Sequence, residues 1–269
     1  MSDQPDFDHL DVEYDQFLPL LQGADEGLFA ALEAVPESGR VLDLACGVGE
    51  PAVTLARQRP DLRLTGIDIS ETQIEAARAR ARKLGNDGVR FELMSMDALE
   101  LEPGSVDAVM SRMGALMMGD PLRTVREAAR VLVPGGRLAV AVWGTLDMHA
   151  AMRLGLRCLD AVLPAEQVPD LSVFDKLAAA GVRDGLFREA GLNAVESRTL
   201  RWTFERADFE SWWSFVLAIP GPMQDAFRRL DQDALGQARR TMAELAAPCR
   251  RRDGSYAFPM GCQLLSGRL

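Results

Sequence analysis

The most informative part of this sequence for the fold is the stretch Val41-Leu-Asp-Leu-Ala-Cys-Gly-Val-Gly-Glu-Pro-Ala52. Its apolar start predicts a buried strand, which runs into a turn at Gly47 and Gly49. Because glycine has no Cβ, the backbone of this turn can adopt positive φ and come close to a ligand. Pro51 then suits the first turn of a helix. This order of strand, glycine turn and helix predicts a cofactor site.

An acidic residue closes the next apolar run, Leu64-Thr-Gly-Ile-Asp68. Asp68 lies 21 residues after Gly47, about the spacing at which a carboxylate on a second parallel strand reaches the hydroxyls of a ribose. One carboxylate can accept hydrogen bonds from two vicinal hydroxyls at once. The site is therefore predicted to bind a nucleoside; the alternative for Asp68 is a solvated strand end.

The glycine turn also fits the permissive dinucleotide fingerprint, as Gly47-x-Gly49-x-x-Ala52. Glu50 and Pro51 argue against a pyrophosphate, since proline lacks an N–H donor and a carboxylate repels phosphate. Neither Tyr14 nor Tyr256 has a lysine four residues later, so the Tyr/Lys pair of short-chain dehydrogenases is absent. A cationic ligand fits this turn better than a dinucleotide.

The chain alternates between strand and helix patterns after residue 39, which predicts a parallel sheet with helices on both faces. Ser70 is a plausible N-cap of the second helix, and Pro134-Gly-Gly136 predicts a turn before the fifth strand. Strands are expected near 40–45, 63–68, 89–94, 106–110, 137–143, 194–204 and 256–265, with core helices near 51–59, 71–84 and 121–132.

Four motifs in order resemble those of class I S-adenosylmethionine (SAM) dependent methyltransferases: Asp43–Gly49, Gly66–Ser70, Met96–Ala98 and Val131–Arg137. They are most similar to the small-molecule branch, which includes quinone-biosynthesis and natural-product tailoring enzymes. The resemblance covers residues 39–145. It implies a Rossmann-like, doubly wound, mostly parallel α/β sheet of seven strands with a helical lid. An unrelated doubly wound nucleotide binder is the alternative.

The resemblance implies a division of the chain into six segments. They are an N-terminal helical cap (1–38), the SAM-binding core (39–145), lid helices (146–180), a core helix and strand (181–206), a second lid segment (207–254) and a final core strand (255–269).

The resemblance also implies which residues contact SAM. Asp43 would approach its amino-acid part, Asp97 would accept from the adenine amine, and the segment from Ser111 would pass beneath the methionine part. The alternatives are a turn carboxylate for Asp43, an exposed loop residue for Asp97 and a surface arginine for Arg112. The implied cofactor residues are Asp43, Ala45, Cys46, Gly47, Gly49, Asp68, Ile69, Met96, Asp97, Ala98, Ser111 and Arg112.

Few side chains are candidates for a general base. His149 follows the fifth strand, where the acceptor is expected, and His9 lies near the N-terminus. Tyr14 is a further catalytic candidate, because N-terminal aromatic residues often cover the methyl end in this family. A structural role is the alternative for each of them. Pocket or core positions are open for Met113, Met117, Met118, Trp212 and Trp213.

Composition limits the partners. The formal charge is −10 and the one short basic cluster is Arg250–Arg252, which argues against a nucleic-acid substrate. Four scattered cysteines indicate neither a zinc site nor a disulfide framework. No long apolar run and an acidic N-terminus predict a cytoplasmic protein without a membrane span. A small-molecule substrate is expected, and a metal ion is not. Association of the chain as a homodimer stays open.

These observations predict methyl transfer from SAM to an O, N or C nucleophile of a small hydrophobic metabolite. Two alternatives remain: a methyltransferase-fold cyclase that binds SAM without consuming it, and a non-catalytic SAM-binding protein.

The ribose assignment is tested by Asp68→Ala. Loss of a charge-assisted hydrogen bond should weaken SAM binding by about 1.5 to 3 kcal/mol, measured by calorimetry. Unchanged affinity in a folded variant would rule the assignment out.

Overall fold

The computed structural model describes residues 17–86, 88–172, 175, 181–219 and 221–269. His9 and Tyr14 therefore lie outside the described residues. The sheet has seven strands in the order β3-β2-β1-β4-β5-β7-β6. Strands β1 to β5 pair in parallel, and β7 pairs antiparallel to β5. The strands are β1 (Arg40–Leu44), β2 (Arg63–Asp68), β3 (Arg90–Leu93), β4 (Val106–Arg112), β5 (Leu132–Trp143), β6 (Asn193–Arg206) and β7 (Tyr256–Arg268). The predicted doubly wound, mostly parallel α/β sheet is confirmed.

Strand β1 lies at the point where the strand order reverses. It pairs with β2 on one side and with β4 on the other, so that Asp43 is opposite both Gly66 and Met110. The connections from β1 and β4 leave in opposite directions at such a point and open a crevice beyond the carboxyl ends of the strands. The glycine turn that follows β1 is therefore placed where α/β sheets bind ligands.

Four of the described helices begin at a residue whose side chain caps the first turn. Ser70 accepts a hydrogen bond from the Gln73 N–H at 3.2 Å, as predicted, and Asp120 caps the next core helix through the N–H groups of Leu122 and Arg123. The described helices are α1 (Leu18–Leu32), α2 (Ala52–Gln58), α3 (Glu71–Lys83), α4 (Pro121–Val131), α5 (Ala150–Asp160), α6 (Val182–Glu189), α7 (Phe209–Ala218), α8 (Pro222–Arg228) and α9 (Gln232–Ala246).

Strand β5 begins earlier than the sequence predicts. Helix α4 ends at Val131, and Leu132 already pairs with Val106 of β4, whereas the next pair joins Arg137 to Ala108. The expected Pro134–Gly136 turn is thus an irregular stretch inside β5. The Gly135 N–H donates to the carbonyl of Leu269, and this hydrogen bond stabilises the irregular stretch.

The chain divides into two compact units. The first comprises the described parts of residues 1–143, 177–200 and 262–269 and contains the parallel strands; in it, α1 packs its apolar face against β4 and β5. The second comprises residues 144–176 and 201–261 and is mainly helical. Its core contains Trp212, whose ring stacks on Phe258 and whose Nε1 donates to Met242 Sδ at 3.2 Å. Trp213 is buried as well.

Within the described ranges, no helix has both the length and the apolar character needed to cross a membrane.

Gly49 has a packing role that the sequence analysis did not predict. Its φ is +90°, and an added Cβ would lie 3.0 Å from Phe91 Cζ and 3.1 Å from Ala77 Cβ. The side of Gly49 where a Cβ would be attached thus faces α3 and β3. The absent side chain serves the packing of the turn against these elements, a reason that sequence spacing does not reveal.

Gly49→Ala should therefore destabilise the ligand-free protein. Positive φ and the contacts with Phe91 and Ala77 together should lower the free energy of unfolding by about 2 to 4 kcal/mol, measured by urea denaturation. The matched control is Gly85→Ala, since Gly85 also has positive φ but no atom of a described residue within 4 Å of an added Cβ; about 1 to 2 kcal/mol is expected there. Equal losses would show that packing contributes nothing at Gly49.

Candidate cofactor site

The loop between β1 and α2 turns sharply at three residues with positive φ: Ala45 (+53°), Gly47 (+51°) and Gly49 (+90°). An added Cβ at Gly47 would meet only Gln73 Oε1, at 3.6 Å. Gly47 is therefore the residue of the loop whose face is open to a ligand. In the same loop, the Gly49 N–H donates to the carbonyl of Cys46 at 2.9 Å and stabilises the turn.

Asp68 joins the tip of β2 to this loop. Its Oδ2 accepts a hydrogen bond from the Gly47 N–H at 3.0 Å, and its Oδ1 accepts one from the Ser70 N–H at 3.0 Å. Each oxygen has a further lone pair for another donor. The next residue, Ile69, is an apolar side chain that is 58% exposed. A carboxylate and an exposed apolar surface thus lie side by side at the end of β2.

Asp43 is the most unusual group of the site. Its side chain is fully buried, and neither carboxylate oxygen receives a hydrogen bond from any described residue. Desolvation raises the pKa of Asp43 to about 8; the positive charge of Arg112 opposes this shift, and Asp25 and Glu50 add to it. A buried carboxylate without donors is costly for a protein to keep. The arrangement is suited to a ligand that brings its own donors and positive charge.

Arg112 is held by the protein itself. Its Nη1 lies 2.7 Å from both carboxylate oxygens of Asp25, and its Nη2 donates to the carbonyl of Glu50 at 3.0 Å. The carboxylate that pairs with Arg112 thus lies on α1. Through the Glu50 carbonyl, the same guanidinium stabilises the loop between β1 and α2, called the cofactor loop below. Sequence reasoning missed Asp25. A signal was available, because an acidic residue four positions after Leu21 and three before Leu28 interrupts the apolar face of α1.

The remaining predicted cofactor residues are mostly engaged with their neighbours. Ser111 Oγ donates to the Leu44 carbonyl at 2.8 Å and accepts from the Ala115 N–H at 3.0 Å. Asp97 Oδ1 accepts from Thr124 Oγ1 at 2.7 Å, which ties the loop of Met96, Asp97 and Ala98 to α4. Met96 is buried.

Two predicted site residues are buried groups of altered acidity. Burial raises the pKa of the Cys46 thiol well above its usual range, so this cysteine stays protonated. His149 is 1% exposed, and desolvation lowers its pKa to about 4. It lies in the second unit, where it precedes α5 and pairs with Met260 in an antiparallel bridge. Its imidazole is therefore neutral at physiological pH.

No group of three or more His, Cys, Asp or Glu side chains suited to a metal ion is present in the described part of the chain.

Comparison with known proteins finds a similarity over part of the chain. A sequence profile described as a methyltransferase domain matches residues 37–164. This segment, a little under half of the chain, is thus similar to methyltransferase domains. The matched segment contains β1 to β5, the glycine loop and both carboxylates, Asp43 and Asp68.

Two of the similar proteins are named as methyltransferases. The chain is 41% identical over 126 residues to "Methyltransferase GfsG" of Streptomyces halstedii, covering 45% of each chain. It is 44% identical over 102 residues to "27-O-demethylrifamycin SV methyltransferase" of Amycolatopsis mediterranei, covering 38% of this chain and 37% of the relative. The chain thus spans less than half of the length of these two relatives.

Among solved structures, the [4+2]-cyclase SpnF superimposes with a TM-score of 0.59 at 21% identity, over 98% of this chain and 96% of that one. At this identity the likeness shows the shared fold alone.

Asp43→Asn should stabilise the ligand-free protein at neutral and alkaline pH. The folded pKa is about 8 and the unfolded one about 4, so the folded state holds a proton that the unfolded state releases. Stability therefore falls as pH rises from about 4 to about 8. The variant lacks this loss and should be more stable by about 2 kcal/mol at pH 8, in urea denaturation at a series of pH values.

Asp107→Asn is the control of opposite sign. Burial acts to raise the pKa of Asp107, but hydrogen bonds from the backbone and side chain of Arg40 outweigh it and lower the pKa. Such a carboxylate stabilises the fold above its unfolded pKa, so this variant should be less stable than the parent at pH 8. If Asp43→Asn shows the same sign, Asp43 is ionised in the folded state.

Proposed function

We propose that the chain binds SAM and transfers its methyl group to an O, N or C nucleophile of a small hydrophobic metabolite. The buried carboxylate of Asp43 carries this proposal. It lies at the carboxyl end of β1, beside the glycine loop, and it lacks hydrogen-bond donors among the described residues. The α-ammonium group of SAM would supply both donors and positive charge, which a dinucleotide would not.

The other polar groups fit the rest of the same molecule. The free lone pairs of Asp68 would accept the two ribose hydroxyls, and exposed Ile69 would pack against the adenine ring. Met96, Asp97 and Ala98 would border the adenine, with Asp97 receiving its amine in addition to Thr124. Arg112 and Ser111 would act through the loop, because their polar atoms already bind protein groups.

When bound, SAM supplies a methyl group activated by the sulfonium. The chain then has to hold the acceptor in line with the methyl group and keep water out, since alignment is the main catalytic requirement of such a displacement. We propose that the segments predicted as a lid, 146–180 and 207–254, bind the acceptor. We also propose a cytoplasmic protein with a small-molecule substrate, no nucleic-acid partner and, where it self-associates, a homodimer.

The decisive test is formation of S-adenosylhomocysteine. The protein is incubated with SAM and candidate metabolites, and S-adenosylhomocysteine is expected to appear together with a product heavier by one methylene. Asp43→Asn should abolish both SAM binding in calorimetry and turnover, while Asp107→Asn should leave SAM binding unchanged. A product without S-adenosylhomocysteine would replace methyl transfer by cyclisation, and binding without any product would indicate a non-catalytic SAM-binding protein.

For acceptors that must lose a proton, we propose His149 as the base. It is neutral above pH of about 4, so at physiological pH it is in the unprotonated form that a base requires. His149→Ala should lower turnover by about 10²- to 10⁴-fold with SAM affinity unchanged, and the acid limb of the wild-type rate profile should lie near pH 4. A fall of less than about tenfold would assign transfer to alignment alone and leave Tyr14 as the remaining candidate.

A further inference from the structure

Arg183 is a buried arginine in the first turn of α6. The residue is 4% exposed. Its Nη1 donates to the backbone carbonyl of Trp143 at 3.0 Å and to Gln263 Oε1 at 2.9 Å. One end of the guanidinium is therefore fixed by β5 and β7, which hold it in a single orientation.

The opposite edge of the same guanidinium has no acceptor. Nε and Nη2 are both buried, and neither forms a hydrogen bond with a described residue. The contrast with Arg112 is instructive, because that buried arginine uses its guanidinium on the carboxylate of Asp25. Desolvation lowers the pKa of Arg183 to about 10, so the group keeps its positive charge at neutral pH. Arg183 is thus a buried cation without an anionic partner among the described residues.

The geometry of this edge indicates the class of ligand. Nε–H and Nη2–H point in parallel from one side of the planar guanidinium, and this spacing matches the two oxygens of a carboxylate. A buried charge is unfavourable until such a partner neutralises it. In this dry surrounding, a bidentate ion pair is also stronger than at the surface.

The position of Arg183 relates it to the acceptor. Trp143 is the last residue of β5, and Gln263 follows the β7 residue that pairs with Trp143. The guanidinium thus lies at the carboxyl end of β5, on the side of the sheet where α/β proteins bind ligands. Because the side chain is closed to solvent, an anion reaches it only after local opening.

We propose that Arg183 binds a carboxylate of the acceptor through Nε and Nη2. The inference rests on the proposed function, and it makes the acceptor a hydrophobic carboxylic acid. Trp143 and Gln263 are the positioning groups, because they hold the other end of the guanidinium. The nucleophilic atom of the acceptor is then a separate group of the same molecule.

The test compares acids with their uncharged amides. Octanoate and benzoate are titrated into the full chain against octanamide and benzamide, with and without S-adenosylhomocysteine, and binding is followed by calorimetry. Wild type should bind the acids at least tenfold more tightly than the amides. Arg183→Met should remove this preference, and Arg183→Lys should lose most of it, since lysine keeps the charge but not the parallel pair of donors.

The matched control is Arg137→Met. Arg137 lies towards the other end of β5, and its Nη1 also donates to a backbone carbonyl, that of Ala31. This variant should keep the preference for acids. Equal binding of acids and amides to wild type, no binding of either, or a preference that survives in Arg183→Met would overturn the proposal. If Arg183→Met does not fold, wild type and Arg183→Lys still decide it.

SAM calorimetry on the same samples separates the two proposals. Arg183→Met should bind SAM as wild type does, because the hydrogen bonds of Arg183 to described residues go to Trp143 and Gln263, which are not among the proposed cofactor residues. Loss of the acid preference with SAM binding retained supports the carboxylate site. Failure of wild type to bind SAM contradicts the proposed function instead, and the comparison of acids with amides is then judged separately.

Discussion

The reversal of strand order between β2 and β4 is the constraint on which the rest of the structure depends. Strand β1 is paired on both edges, so its carboxyl end is fixed, and the loop after it has to turn within a few residues into α2. Glycine at 49 lets this loop pack on α3, and the Gly47 N–H reaches the carboxylate of Asp68. The crevice, the loop and the acidic end of β2 thus follow from one topological fact.

The buried ionisable side chains of the site are of two kinds. Some pair with each other and stabilise the fold, whereas others have no partner among the described residues. Arg112 and Asp25 neutralise each other and support the cofactor loop. Asp43 and Arg183 lack such partners among the described residues. Proteins satisfy most of their buried polar groups, and the exceptions require an explanation. An ammonium group at Asp43 and a carboxylate at Arg183 would provide one; the two side chains lie near the carboxyl ends of β1 and β5 in the same sheet.

The sequence similarity and the geometry address different questions. The segment similar to methyltransferase domains, residues 37–164, contains the residues proposed to bind the cofactor. Arg183 and Gln263 lie outside that segment, as do α7 to α9. Since one fold supports many acceptors, under the proposed function the residues beyond the matched segment would determine which metabolite is used.

The sheet, its parallel pairing and the closeness of Gly47 and Asp68 could be predicted from the sequence alone, because hydrophobic alternation and motif spacing are local properties of the chain. The sequence also predicted Ser70 as a cap for the same reason. It did not predict the early start of β5, the packing role of Gly49 or the pairing of Arg112 with Asp25, which is 87 residues away. Those features arise from contacts between distant segments. The burial that shifts the pKa values of Asp43 and His149 was likewise decided by the tertiary structure, since desolvation depends on everything that packs around a group.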